Sequence, residues 1–242
     1  MLRQPFLAGL RLAHLAHLPA VHPWLGAELG RPAGSLQLAS FGGMDPPREA
    51  VESYHTPVLE EEVIHALMPM PGKLMLDGTL GGGGHTWRLL AQGTNVLALD
   101  QDPEALAWAT QRLAEDAEHL VPLRANFASF PEILEEAGLG PVLDGILLDL
   151  GVSSHQLEAA ERGFSFLRDG PLDMRMDPSA PVCAADLVND WPEEELARII
   201  YEYGDEKASR RVAKAIVRRR AERAFETTCD LAAVVATVIP KR

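Results

Sequence analysis

Cysteine is nearly absent. Cys183 and Cys229 are the two in the chain, and they stand far apart. That excludes a CxxC-type metal or redox site and suits a reducing compartment. Long apolar runs are missing too; none approaches the roughly 20 residues a membrane helix needs. The eight histidines are scattered and form no HExxH or other zinc spacing. Neither a metal nor a membrane is therefore expected. Acids are absent before Glu28, whereas Arg3 and Arg11 precede it. A secretory signal needs a cleaner apolar stretch than LAGLRLAHLAHLPAV. An Arg-rich, acid-poor start fits a mitochondrial transit peptide, and equally a start codon placed too early. We expect the second, with Met44 as the true first residue and little packed structure over residues 1–50.

Hydrophobic residues make up 47% of the 242, enough for a real core in one or two domains. The formal net charge of −13 argues on average against nucleic acid, but binding is set by local patches. Residues 207–223, KASRRVAKAIVRRRAER, hold a single acid, Glu222. At helical spacing Lys207, Arg211, Lys214 and Arg218 share one face. A solvated surface and a phosphate-binding face are both open readings.

From Tyr54 onward, strands and helices alternate. Thr56-Pro57 reads as a helix start with Pro in its first position. Strands follow at 73–77 (KLMLD), 95–99 (NVLAL), 120–123 and 143–150, the last nearly continuous in apolar residues as if both faces were covered. Helices are expected from His85 to Gln92, from Asp102-Pro103 to about Glu118, and from a capping box at Ser129–Glu132. This alternation implies a doubly wound, parallel α/β sheet of Rossmann-like type. Beyond it come a cap at Asp190–Glu193, a helix ended by Gly204, the basic helix, and a helix at about 228–238. Residues 145–177 are aperiodic, Gly-punctuated and too rich in Phe, Leu and Met for disorder, so they read as a functional loop.

The stretch 77–85, DGTLGGGGH, joins a strand to a helix. Such a turn lets backbone approach a ligand and aims N–H groups at it. Asp100 ends the next strand, where an acid accepts bonds from ribose hydroxyls. The loop is not GxxxxGK[ST], so ATP hydrolysis is not expected. Spacing leaves a dinucleotide such as NAD and S-adenosylmethionine both open. Asp149 lies at the carboxyl end of the fourth strand, the edge that lines ligand crevices in open α/β sheets. A carboxylate there can hold the hydrogens of an exocyclic base amine and localise its lone pair for attack on a sulfonium methyl. A loop cap or a structural ion pair is the plainer reading of Asp149.

Four segments, HTPVLEEEV (55–63), DGTLGGGGHT (77–86), ILLDLGVSSHQL (146–157) and ERGFSFLRDGPLDMRMDP (161–178), resemble the MraW/RsmH family. With YGDEKASRRVAKAIV (203–217) the likeness covers about 54–242. It implies a class I methyltransferase that moves a methyl group from S-adenosylmethionine to N4 of a cytosine in small-subunit ribosomal RNA, in the cytoplasm. It implies cofactor contacts at Gly82, Gly83, Gly84, His85, Asp100, Phe127, Asp149 and Gln156. It implies a cofactor domain over 51–152 and a loop and helical subdomain facing RNA over 153–242. Asp149, Ser153 and Ser154 are then the catalytic candidates, the serines holding the base or merely capping the turn. Phe164, Phe166 and Arg168 would stack on an extruded base or clamp its phosphate, or form loop core. Asp173 and Arg175 would pair with each other or face RNA. Arg211, Lys214 and Arg218 become RNA-binding candidates.

The family continues beyond the point where this chain stops, so we expect an incomplete sheet whose fourth strand borders a bare, apolar edge. Two other readings stay open: an RNA-binding or assembly homologue without turnover, and a nicotinamide-dependent oxidoreductase resting on the glycine loop and Asp100 alone. Oligomeric state, including a homodimer, is left open.

Overall fold

The computed structural model describes residues 57–137 and 143–239, and the chain divides into two compact units, 1–150 and 151–242. The expectations for residues 1–50, Tyr54 and Thr56 fall outside the described residues.

In the first unit the elements run α1 (Glu60–Leu67), β1 (Leu74–Asp77), α2 (Gly84–Leu90), β2 (Asn95–Asp100), α3 (Pro103–Arg112), β3 (Leu120–Arg124), α4 (Phe130–Glu136) and β4 (Gly145–Leu147). The four strands form one sheet in the order β3-β2-β1-β4, and every pairing is parallel. Side chains alternate across it, as the period of two demands. Met75, Val96 and Ala98 enter one core with Ile64 and Leu67 of α1, Leu89 of α2 and Ala109 of α3. Leu74, Leu76, Leu97 and Leu99 enter the other with Leu134 of α4. Both faces of β1 and β2 are covered, which explains their unbroken apolar runs.

Several local expectations are corrected. The first helix begins at Glu60, not at Pro57, because Leu59 turns left-handed (φ 54) just ahead of it. α3 stops at Arg112, short of Glu118: Leu113 is plugged into the core and the chain tightens into a 3₁₀ turn at Ala114–Asp116. The capping box at Ser129 does not form. Asn126 caps a 3₁₀ turn one step earlier by accepting the Ala128 N–H, so α4 grows out of that turn. The fourth strand is three residues long. Ile146, Leu148 and Leu150 stand 45%, 43% and 67% exposed, so its run is not covered on both faces. Among the described residues β4 borders the sheet, and only β1 pairs with it.

The second unit is helical: α5 (Ser154–Glu158), α6 (Ala184–Asp190), α7 (Glu193–Glu202), α8 (Ser209–Arg220) and α9 (Thr228–Val238). Its core holds Leu172, Val188, Leu196, Val212, Ala213, Ile216 and Phe225. Asp190 does not cap α7; it is the last residue of α6, and α7 starts after Pro192 with no side-chain cap. α8 is amphipathic: Val212, Ala213 and Ile216 are buried, while Arg210, Arg211, Lys214 and Arg218 lie on the opposite, exposed side. The aperiodic loop is not structureless. It contains α5 and a 3₁₀ turn at Ala160–Arg162, and buried Arg162 ties it together by donating to the Arg175 and Met176 carbonyls.

Candidate active site

The carboxyl ends of β1, β2 and β4 meet around the glycine loop, residues 78–84. Asp77 ends β1 inside the protein. Its Oδ2 accepts from the Thr86 hydroxyl at 2.6 Å and its Oδ1 from the Thr79 N–H at 3.0 Å. Burial pushes its carboxyl above the ordinary range, outweighing these bonds. The Thr79 hydroxyl in turn accepts from the Asp149 N–H at 2.7 Å. Thr79 thus links the ends of β1 and β4. Its one mark in the sequence is its place two residues after Asp77, the signature of an Asx turn.

Asp100 ends β2 with each oxygen oriented by backbone: Oδ2 accepts from Gly81 N–H at 2.8 Å and Oδ1 from Asp102 N–H at 2.9 Å. Its carboxyl is also raised, first by burial. Arg112 donates to the Gly82 carbonyl at 2.9 Å and pins the loop from α3. Two glycines are required by close approach. A Cβ on Gly84 would sit 2.4 Å from the Pro57 ring, and one on Gly78 would meet Leu148 at 2.5 Å and Phe127 at 2.9 Å. Pro57, read as a helix start, instead packs on the loop. Phe127 lies against the loop from the β3 side.

His85 is buried at the start of α2. Its Nε2 lies 3.2 Å from the Val58 carbonyl and its Nδ1 3.8 Å from Asp149 Oδ2. Gly82, Gly83, Gly84, His85, Asp100, Phe127 and Asp149 therefore gather at one sheet edge in the first unit.

Gln156, Ser153 and Ser154 belong to the second unit. Ser153 caps α5: its hydroxyl accepts the Gln156 N–H at 3.1 Å, and the buried Gln156 amide accepts the Ser153 N–H at 3.0 Å. Ser154 is exposed in the first turn of α5. The Phe164 ring lies under the Arg162 guanidinium, 6.0 Å away. Arg168 donates to the Glu158 carbonyl at 3.0 Å, and Phe166 is exposed. Arg175 grips Asp173 through two nitrogens and donates a third bond to the Ala180 carbonyl. That pairing holds the Asp173 carboxyl below its usual range. In the basic run, Arg219 lies over the Phe225 ring and Arg220 donates to the Val188 carbonyl. Arg211, Lys214 and Arg218 point to solvent.

A parallel sheet clad on both faces, with a glycine loop after β1 and acids at the ends of β1 and β2, defines the first unit as a Rossmann-like methyltransferase fold. The chain matches the MraW methylase family over residues 52–242, and it belongs to that family. It is 48% identical over 193 residues to the ribosomal RNA small subunit methyltransferase H of Heliobacterium mobile, covering 78% of this chain and 62% of that protein. It is 49% identical over 191 residues to the protein of the same name from Geobacter sulfurreducens, covering 77% and 61%. The chain thus spans about three-fifths of the length of the curated relatives it matches. Among the described residues no helix is long and apolar enough to cross a membrane.

Proposed function

We propose that the chain transfers a methyl group from S-adenosylmethionine to the exocyclic N4 amine of a cytosine in small-subunit ribosomal RNA, acting in the cytoplasm on the small subunit. The observation that carries this is the gathering of His85, Asp100, Phe127 and Asp149 around the glycine loop at the carboxyl edge of the sheet, in a chain of this family.

The residues fit an adenosyl cofactor. The Asp100 carboxylate accepts from the Gly81, Asp102 and Gln101 N–H groups, and its about four acceptor sites leave room for a ribose hydroxyl. Phe127 offers a ring beside the loop for the adenine, and an added Cβ on Gly81 would touch nothing nearer than 3.8 Å, so the loop backbone is open to a ligand there. When bound, S-adenosylmethionine supplies an electrophilic sulfonium methyl. Asp149 accepts from the hydrogens of the amine, concentrates its lone pair and orients it. The same carboxylate takes the proton that the amine sheds once methylated. The base must first leave its stack; the second unit by itself offers the exposed Phe166 ring for stacking and the exposed cations of α8 for phosphate, whereas Arg175 is engaged by Asp173.

Labelled S-adenosylmethionine and purified small subunits test this reading. RNA should be labelled at a cytosine, and Asp149→Ala should abolish labelling while cofactor affinity stays within a few-fold. Calorimetry should show binding of S-adenosylhomocysteine and none of NADH; the reverse order would replace this reading with an oxidoreductase.

A further inference from the structure

We propose that His85 is the proton-accepting partner of Asp149, a positioning residue that acts through that carboxylate. The inference rests on the methyl-transfer reading above. A carbonyl oxygen can only accept, so the 3.2 Å approach of Val58 O assigns the proton of the neutral imidazole to Nε2. Nδ1 is then a bare lone pair, and it faces Asp149 Oδ2 at 3.8 Å. Two acceptors aimed at each other repel unless a proton lies between them. A proton taken from the amine can lie between them, as Asp149 carboxyl donating to Nδ1 or as imidazolium beside carboxylate. The 3.8 Å gap exceeds hydrogen-bond distance, so the two groups must move closer to share a proton.

The surroundings support the role. His85 is buried, so the imidazole meets little competing water. The Asp149 N–H is anchored on Thr79, which keeps that carboxylate at the end of β4.

The step balances. The nitrogen–carbon bond forms as the carbon–sulfur bond breaks, the pair of electrons going to sulfur. The amine proton passes to Asp149 and rests on the Asp149–His85 pair. Water removes it as products leave.

Nitrogen NMR of the ¹⁵N-labelled full chain, without cofactor or RNA, tests the geometry. The neutral His85 ring should carry its proton on Nε2, and Asp149→Asn should keep that tautomer, since the new amide can donate to Nδ1. A proton on Nδ1 overturns the proposal whatever the chain methylates. The second arm is His85→Gln, which keeps a donor for Val58 and loses the base. It should lower kcat at least about tenfold, a larger factor than any rise in KM for S-adenosylmethionine. The pH profile of its kcat should differ from the parent's, because the imidazole no longer takes part in the proton transfer. An unchanged kcat and profile overturns the proposal and leaves the methyltransferase reading standing. A chain that labels no RNA overturns both. If His85→Gln fails to fold, the tautomer and the same kinetics on His85→Asn decide.

Discussion

Asp77 shows what one enclosed carboxylate does to a fold. It ends β1 at 1% exposure, and its carboxyl is raised above 3.8 chiefly by burial. A raised acid binds more protons folded than unfolded. Its contribution is therefore fully present below about 3.8 and is lost as pH rises through the folded value. Asp100 is raised in the same direction. Asp77→Asn keeps the acceptor for Thr79 and a partner for the Thr86 hydroxyl without the buried charge. We expect its stability relative to the parent chain to improve between pH 4 and pH 7 in urea unfolding. Equal differences at the two pH values would show that Asp77 is not the titrating group. Gly163 is a second case. Its φ is 71° and a Cβ there would meet the Pro171 carbonyl at 2.2 Å, so the loop it serves admits no side chain.

At the scale of elements, α6 and the chain entering α9 are joined by one side chain. Asn189 donates to the Phe225 carbonyl at 3.0 Å and accepts its N–H at 2.8 Å, beside the buried Phe225 ring. Asn189→Ala strands both backbone groups and should cost about 2–3 kcal/mol in urea unfolding; a loss near zero would mean that water replaces the amide. α8 divides its basic run between two jobs. Arg219 and Arg220 are spent on the interior, whereas Arg211, Lys214 and Arg218 stay in solvent. Replacing those three by Ala should lower the log–log salt slope of RNA binding by about 2, at roughly 0.7 per phosphate on a single strand. An unchanged slope would make the face merely solvated. The helical period made that face legible in advance. The same period could not tell Arg219 and Arg220 from their neighbours, because their partners Phe225 and Val188 come from other elements.

For the molecule as a whole, charge and ligand act on different parts. A net charge of −13 coexists with a cationic face on one helix, so average charge says little about partners. A ligand that binds only the folded chain stabilises it by about 2.7 kcal/mol at a hundred times its Kd. S-adenosylhomocysteine at that excess should raise Tm by about 5–10 °C, and NADH at equal concentration should leave it unchanged. No shift with either would separate the glycine loop from cofactor binding.

The alternation of strands and helices, the glycine loop and the acids at strand ends were all legible in the sequence, because hydrophobic period and turn chemistry are local. The shortness of β4 was not: its apolar run says nothing about how many neighbours cover it. Nor were the roles of Pro57, Thr79, Arg162 and Asn126, each defined by what another segment brings to it. The sheet order β3-β2-β1-β4 sets β4 beside β1, so Asp149 bonds Thr79 across 70 positions of chain and faces His85. Residue types near the site came from the sequence alone. The approach of His85 Nδ1 to Asp149 Oδ2 was decided by tertiary structure, since the parallel pairing of β1 with β4 sets the end of β4 beside the loop that leads from β1 into α2.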